Sequence, residues 1–208
     1  MNTLYLDKTQ TSKAADILKN GGTVAIPTET VYGLAANTFD EEAVKNIFKA
    51  KGRPSDNPLI VHISKISDIY DVVSEFPEKA KKLADKFWPG PLTMILPKNK
   101  NIPYCVTCGM DSVAVRFPSH KIAREIIEKS GVPLVAPSAN ISGRPSPTKF
   151  EHVVNDLSGK IDAMLDGGDC TVGVESTVLS LVNTVPVVLR PGLITQKEIS
   201  DVIGEVEI

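Results

Sequence analysis

Apolar residues along this 208-residue chain recur with two periods, and the switches between them divide it into short strands and helices. Thr3 to Leu6 reads as a strand. Thr11 or Ser12 caps a helix carrying Ala14, Ala15, Ile17 and Leu18, which stops at Gly21-Gly22. Thr23 to Ile26 is an apolar strand cut by Pro27, which has no N–H for a sheet ladder. Asp40 caps a helix with Ala43, Val44, Ile47 and Phe48 at helical spacing, and Pro58 to Ile63 is an apolar strand interrupted by His62. Helices are predicted near Ile66–Val73, over Pro77–Phe87 and from Lys121 to Lys129, with strands over Leu92 to Leu96 and Ser112 to Phe117. Leu134 to Ala136 reads as a strand and Lys149 to Leu157 as a helix. Thr177 to Val182 and Val187 to Leu189 are strands rich in β-branched residues, and Thr195 with Glu198 forms the capping box of a last helix.

Alternating strands and helices with short connections predict one α/β domain over residues 1–208. No helix is predicted between the strands at Leu92 and Ser112, so the sheet is expected to be mixed. Several of these strands end in hydroxyls, an amide or a cation. Ala25 to Leu34 holds Thr28, Glu29, Thr30 and Tyr32 around a strand end, where α/β proteins place ligands. Lys51-Gly-Arg53, followed by Asn57, puts two cations on a loop broken by Gly52 and Pro54, a pattern that suits phosphate or a solvated surface. In the strand Ser112-Val-Ala-Val-Arg-Phe117 the alternation sets Ser112, Ala114 and Arg116 on one face. Burying Arg116 there requires an anionic partner, such as a bound carboxylate. Ser138 and Asn140 face the same way if Pro137–Asn140 is extended.

Composition changes this picture little: 42% hydrophobic and 23% charged residues are those of an ordinary globular protein. A net charge of −2 gives no bulk attraction for nucleic acid, so any basic surface must be local. The N-terminus lacks the basic stretch and apolar core of an export signal, and no apolar run nears the ~20 residues that cross a bilayer. The expectation is a cytoplasmic protein with no membrane association. Three cysteines argue against a disulfide framework; Cys105 and Cys108 form an unpaired half of a metal motif and are read as small loop residues. His120 and His152, near helix starts, are read as solvated. Neither a P-loop nor a G-x-G-x-x-G nor a G-x-S-x-G elbow occurs.

Eight segments, taken in order, carry a resemblance to a known family. They are Pro27–Leu34 (P-T-E-T-V-Y-G-L), Lys51-Gly-Arg53, Asn57-Pro-Leu59, Trp88-Pro-Gly-Pro-Leu-Thr93, Arg116-Phe-Pro118, Pro137-Ser-Ala-Asn140, Gly173-Val-Glu-Ser-Thr177 and Arg190-Pro-Gly192. Together they resemble the YrdC-like family of threonylcarbamoyl-AMP synthases, in the form without the second C-terminal domain that some members carry. The resemblance implies a twisted mixed sheet flanked by helices around a concave, locally positive cleft. It implies that L-threonine, bicarbonate (or CO2) and ATP give threonylcarbamoyl-AMP and pyrophosphate. A tRNA-modifying transferase complex then uses the adenylate at position 37 of tRNA. By the same resemblance Thr30, His62, Arg116, Ser138 and Ser176 surround threonine, with Arg116 on its carboxylate. Arg53, Asn57, Ser112, Asn140, Thr148 and Arg190 contact ATP. Lys51 and Arg53 act as the catalytic cations, and both are expected to be dispensable for folding. Magnesium is implied as the companion of ATP, held mostly by phosphates and water, with no protein metal site. Two other readings stand beside this one: an RNA-binding or ribosome-associated module without turnover, for which weak RNA binding is the mark, and a carbamoyl-adenylate module of hydrogenase maturation.

Overall fold

The computed structural model describes residues 2–208. In chain order its elements begin with β1 (Leu4–Asp7), α1 (Thr11–Lys19), β2 (Val24–Ile26), β3 (Gly33–Asn37), α2 (Glu41–Lys51) and β4 (Ile60–His62). A 3-10 turn at Ile66–Asp68 leads into α3 (Ile69–Val72), followed by α4 (Glu78–Phe87), β5 (Leu92–Pro97), α5 (Tyr104–Thr107), β6 (Ser112–Arg116) and α6 (Lys121–Ser130). The chain continues with β7 (Leu134–Val135), α7 (Phe150–Leu157), β8 (Ala163–Asp166), β9 (Thr177–Ser180), β10 (Val187–Arg190) and α8 (Gln196–Ile203). Among the described residues the strands form one sheet of ten in the order β1-β8-β2-β3-β7-β4-β6-β5-β9-β10. It is mixed, as expected: β8 runs parallel to β1 and β2, β4 to β6, and β5 to β9, while the remaining neighbours are antiparallel.

Two-residue alternation divides the interior into two cores. In β2, Val24 and Ile26 enter one and Ala25 the other; in β8, Ala163 and Leu165 oppose Met164 in the same way. The smaller core lies under α1 and α6, lined by Ala14, Leu18, Ala123, Ile126 and Ile127. The larger one is covered by α2, α3, α4, α7 and α8 through residues such as Ile47, Ile69, Leu83, Leu157 and Ile199. Beyond β7 only one face is packed: Val61, Met94, Val113, Val115, Val135, Leu179 and Val188 fill the larger core, and the alternate residues face a cleft. The functional surface is therefore the uncovered face of half a sheet.

Three features depart from the sequence pattern. Gly33–Asn37 and Ala163–Asp166 are strands although neither was predicted, because both lack β-branched residues and their burial on both faces erases alternation. A one-turn helix, α5, lies between β5 and β6 where no helix was expected, and it carries Cys105, with Cys108 capping it. The cap of α1 is Gln10, without a side-chain bond, because the Thr11 hydroxyl donates to Glu125 Oε1 on α6 at 2.6 Å. Asp40, by contrast, accepts from the N–H groups of Glu42 and Ala43, and Thr195 and Glu198 close the last capping box.

Candidate functional site

The cleft, about 310 Å³ in volume, is floored by a grid that strand register dictates. One row runs through Ile60, Ala114 and Ile95; the next, two residues along each strand, runs through His62, Arg116, Thr93 and Val178. The first row is apolar and continues into an adjoining pocket of about 290 Å³ lined by Pro58, Met110, Ser112, Val182 and Leu189. The second row is polar up to Val178 at its edge. The cleft thus grades from an apolar end to a charged, hydrogen-bonding end over two residues of strand.

At the polar end Arg116 is 4% exposed. Its Nη2 donates to Glu29 Oε1 at 2.5 Å, its Nη1 to Thr30 Oγ1 at 2.9 Å and its Nε to Gly90 O at 3.4 Å. The anionic partner that its burial requires is therefore internal, Glu29, and not a substrate alone. A guanidinium has more N–H groups than these partners use, and Arg116 still lines the cleft. Burial by itself would raise the Glu29 carboxyl, but the Arg116 charge and hydrogen bond outweigh it and hold the carboxyl below its usual range. His62 lies across the pairing from Arg116 and is buried. Burial and the neighbouring Arg116 charge push its imidazole down to about 3, so it is neutral at physiological pH. Its Nδ1 donates to Ile60 O at 3.1 Å, which leaves Nε2 as an acceptor.

The walls come from three loops stitched to the Pro27–Leu34 stretch. Leu34 N–H bonds to Pro137 O and Ala139 N–H to Tyr32 O, both at 2.8 Å, which brings Ser138 to the cleft. Val172 N–H reaches Glu29 O at 2.7 Å and Gly173 N–H reaches Thr30 O at 3.1 Å, which lays the Gly173–Thr177 segment over the same stretch. Ser176 Oγ meets Thr93 Oγ1 at 2.8 Å, and Arg190 donates through Nη2 to Ser176 Oγ and through Nε to Ser176 O, both at 3.0 Å. Gly192 permits this closure, since a Cβ there would lie 2.4 Å from Thr177 N. Arg190 Nη1 is ion-paired with Glu175. Arg53 is tethered to Asn57 O at 3.2 Å and Pro58 O at 3.3 Å and faces the cleft, with Asn57 beside it.

Of the residues expected at a ligand, Thr30, Arg53, Asn57, His62, Arg116, Ser138, Ser176 and Arg190 line this cleft together. Ser112 lines the adjoining apolar pocket. Lys51, Asn140 and Thr148 line neither. Lys51 is 1% exposed, and its ammonium donates to the carbonyls of Ser138 and Asn140; burial pushes it down to about 8. Lys51 is thus the buried last residue of α2 and not a loop cation, which corrects its expected placement. Asn140 bonds through Nδ2 to Ile141 O and Arg144 O and shapes its own loop. His120 is half-buried with Nδ1 shielded and unpartnered, not solvated as expected, whereas His152 is exposed. Sequence reasoning placed Glu29 among the polar groups of a ligand-binding strand end without giving it a partner, and it assigned no individual role to Thr93 or Glu175. The signal for Glu29 was present, because a buried arginine demands a carboxylate; that for Thr93 was not, because it depends on strand register.

No helix among the described residues is long and apolar enough to cross a membrane. Nor do three or more His, Cys, Asp or Glu side chains cluster there in a way that could hold a metal. The cleft lining includes a single carboxylate, Glu175, among three arginines. Such a donor set does not cage a cation, but it fits one that arrives with phosphates and keeps its waters.

A family model for the Sua5/YciO/YrdC domain, described as telomere recombination, matches residues 16–192. The threonylcarbamoyl-AMP synthase of Pyrococcus abyssi is 55% identical over 94% of this chain and 57% of its own length. That of Bacillus subtilis is 54% identical over 96% of this chain and 58% of its own. The chain thus spans a little over half the length of these curated relatives. Among solved structures, P. abyssi Sua5 complexed with L-threonine is similar with a TM-score of 0.96 at 50% identity, covering 100% of this chain and 62% of that one. E. coli YciO, at 23% identity and a TM-score of 0.81, covers 93% of this chain and 97% of that one and shares the fold. From the match over 16–192 and relatives above half identity, the chain belongs to the Sua5/YciO/YrdC family.

Proposed function

We propose that the chain forms threonylcarbamoyl-AMP and pyrophosphate from L-threonine, bicarbonate or CO2, and ATP, a reading supported by relatives that are named threonylcarbamoyl-AMP synthases. The observation that carries this reading is the graded cleft floor: a buried, oriented arginine at one end, an apolar pocket at the other, and two further arginines along the wall between.

Threonine sits at the polar end. The N–H groups of Arg116 that Glu29 and Thr30 leave unused take its carboxylate, and the Ser138 and Ser176 hydroxyls lie within the same lining. His62 Nε2, a neutral acceptor, accepts a hydrogen bond from the ammonium or the hydroxyl of threonine. The ammonium releases a proton to water, and the resulting amine adds to CO2 and releases a second proton to water, giving an N-carboxylate. One of its oxygens attacks the α-phosphorus of ATP, the bond from that phosphorus to the β-phosphate oxygen breaks, and pyrophosphate leaves. The chain supplies position and charge for this step, not a covalent nucleophile. Arg53 and Arg190 take the phosphates, and the base lies over Ile95, Ala114 and Leu189 with Ser112 at its edge. Lys51 acts on the site from behind, by holding the Ser138 and Asn140 carbonyls. Magnesium, when bound with ATP, neutralises phosphate charge. The adenylate is then consumed by a tRNA-modifying transferase complex, and a cytoplasmic setting follows from that role. The RNA-binding alternative is less favoured: the cleft is small and the net charge is −2. The hydrogenase-maturation alternative has only a fold likeness behind it, to HypF at 22% identity.

The deciding experiment is pyrophosphate release from ATP with magnesium and bicarbonate, with and without L-threonine and with L-serine as control. Threonine-dependent release and a threonylcarbamoyl-AMP mass peak are expected. Release that ignores threonine but needs carbamoyl phosphate, or salt-sensitive RNA binding without turnover, replaces this reading.

A further inference from the structure

Glu175 is the one group lining the cleft whose charge opposes a phosphate ligand. Its two oxygens are both engaged: one pairs with Arg190 Nη1, and Oε1 accepts from the Ser146 hydroxyl at 2.7 Å. Its charge is also felt at Lys51 and Arg53, so it stands among the cations that would meet a triphosphate. The side chain is 36% exposed and open to whatever enters the cleft. A polyphosphate that takes Arg190 displaces the carboxylate from its partner and leaves like charges face to face in a partly desolvated site, a costly arrangement. A divalent cation between them removes the conflict, because magnesium binds through one or two carboxylates together with substrate phosphates.

We propose that Glu175 is the protein's ligand to the divalent cation that accompanies the nucleotide, and that its pairing with Arg190 is a resting contact. On binding, Arg190 exchanges Glu175 for a phosphate oxygen, and Glu175 exchanges Arg190 for the metal. Ser146 keeps the carboxylate aimed into the cleft throughout. This assignment rests on the nucleotide-binding reading above.

The test is calorimetric titration of ATP, with and without saturating MgCl2, into the wild-type protein, Glu175→Gln and Glu175→Asp. Glutamine keeps one acceptor oxygen for Arg190, and its amide N–H can donate to the Ser146 hydroxyl, which reverses that bond, so the fold is expected to hold, as thermal unfolding will check. In the wild type MgCl2 strengthens ATP binding. In Glu175→Gln metal-free ATP binds more tightly by about tenfold, the scale of one charge–charge contact, and the gain from MgCl2 largely disappears. Glu175→Asp keeps part of that gain. A Glu175→Gln variant with the wild-type gain, or with weaker metal-free binding, overturns the assignment while leaving the nucleotide reading in place. A wild-type protein that binds no ATP in either condition overturns both.

Discussion

Lys51 and Arg53 stand two residues apart, yet the fold gives them different tasks. Gly52 closes α2 in a left-handed conformation (φ 58°), which leaves Lys51 inside the last turn and Arg53 outside it. Lys51 turns inward to two carbonyls, while Arg53 stays half-buried at the cleft wall. Lys51→Met therefore leaves two carbonyls without their donor and should lower stability by about 1–3 kcal/mol, visible in a urea titration. Arg53→Ala should leave the urea midpoint nearly unchanged and raise the KM for ATP. Equal stability losses in the two variants would refute this division. In the sequence, K-G-R showed two cations on a broken loop; which one is buried depends on a carbonyl pair 87 and 89 residues away.

At the scale of elements, capping chemistry was legible where the cap is local. Asp40 accepts from Glu42 and Ala43 N–H, and the acidic first turn of α2 adds to the effect. Asp40→Ala should cost about 1 kcal/mol and lower the Tm by roughly 2–4 °C in a chain of this size. An unchanged Tm in thermal unfolding would show that α2 is held by its packing alone. The cap of α1 was misread because Thr11 spends its hydroxyl on Glu125 of another helix, a partner 114 residues away. For β3 and β8 the cause is burial on both faces, which removes the alternation that marks a strand.

The whole molecule carries its own acid sensitivity. His62 titrates near 3 in the folded protein, well below the value of about 6.5 it has when unfolded. As pH falls below about 6.5 the unfolded chain takes up the proton first, so stability drops between these two values, by at most about 1.4 kcal/mol per pH unit from this group. Glu29 acts in the same sense at lower pH, because its folded carboxyl is held below its ordinary value and its contribution is lost as pH falls through that depressed value. Urea midpoints measured from pH 4 to 7 should show a flatter dependence in His62→Gln than in the wild type. Parallel slopes would mean that His62 is charged in the folded state. For the same reason, ligand binding should show no inflection near pH 6.5 that disappears in His62→Gln.

The sequence by itself determined the α/β class, the mixed sheet, the caps of α2 and α8, and the set of polar strand ends that marks the family, because these rest on spacing within a few residues. Only the tertiary structure decided the strand order, the placement of Thr93 beside Arg116, the internal pairing of Arg116 with Glu29 and the inward turn of Lys51. Each of these depends on which distant segment supplies the partner, and a buried charge takes its role from that partner, which local pattern does not encode.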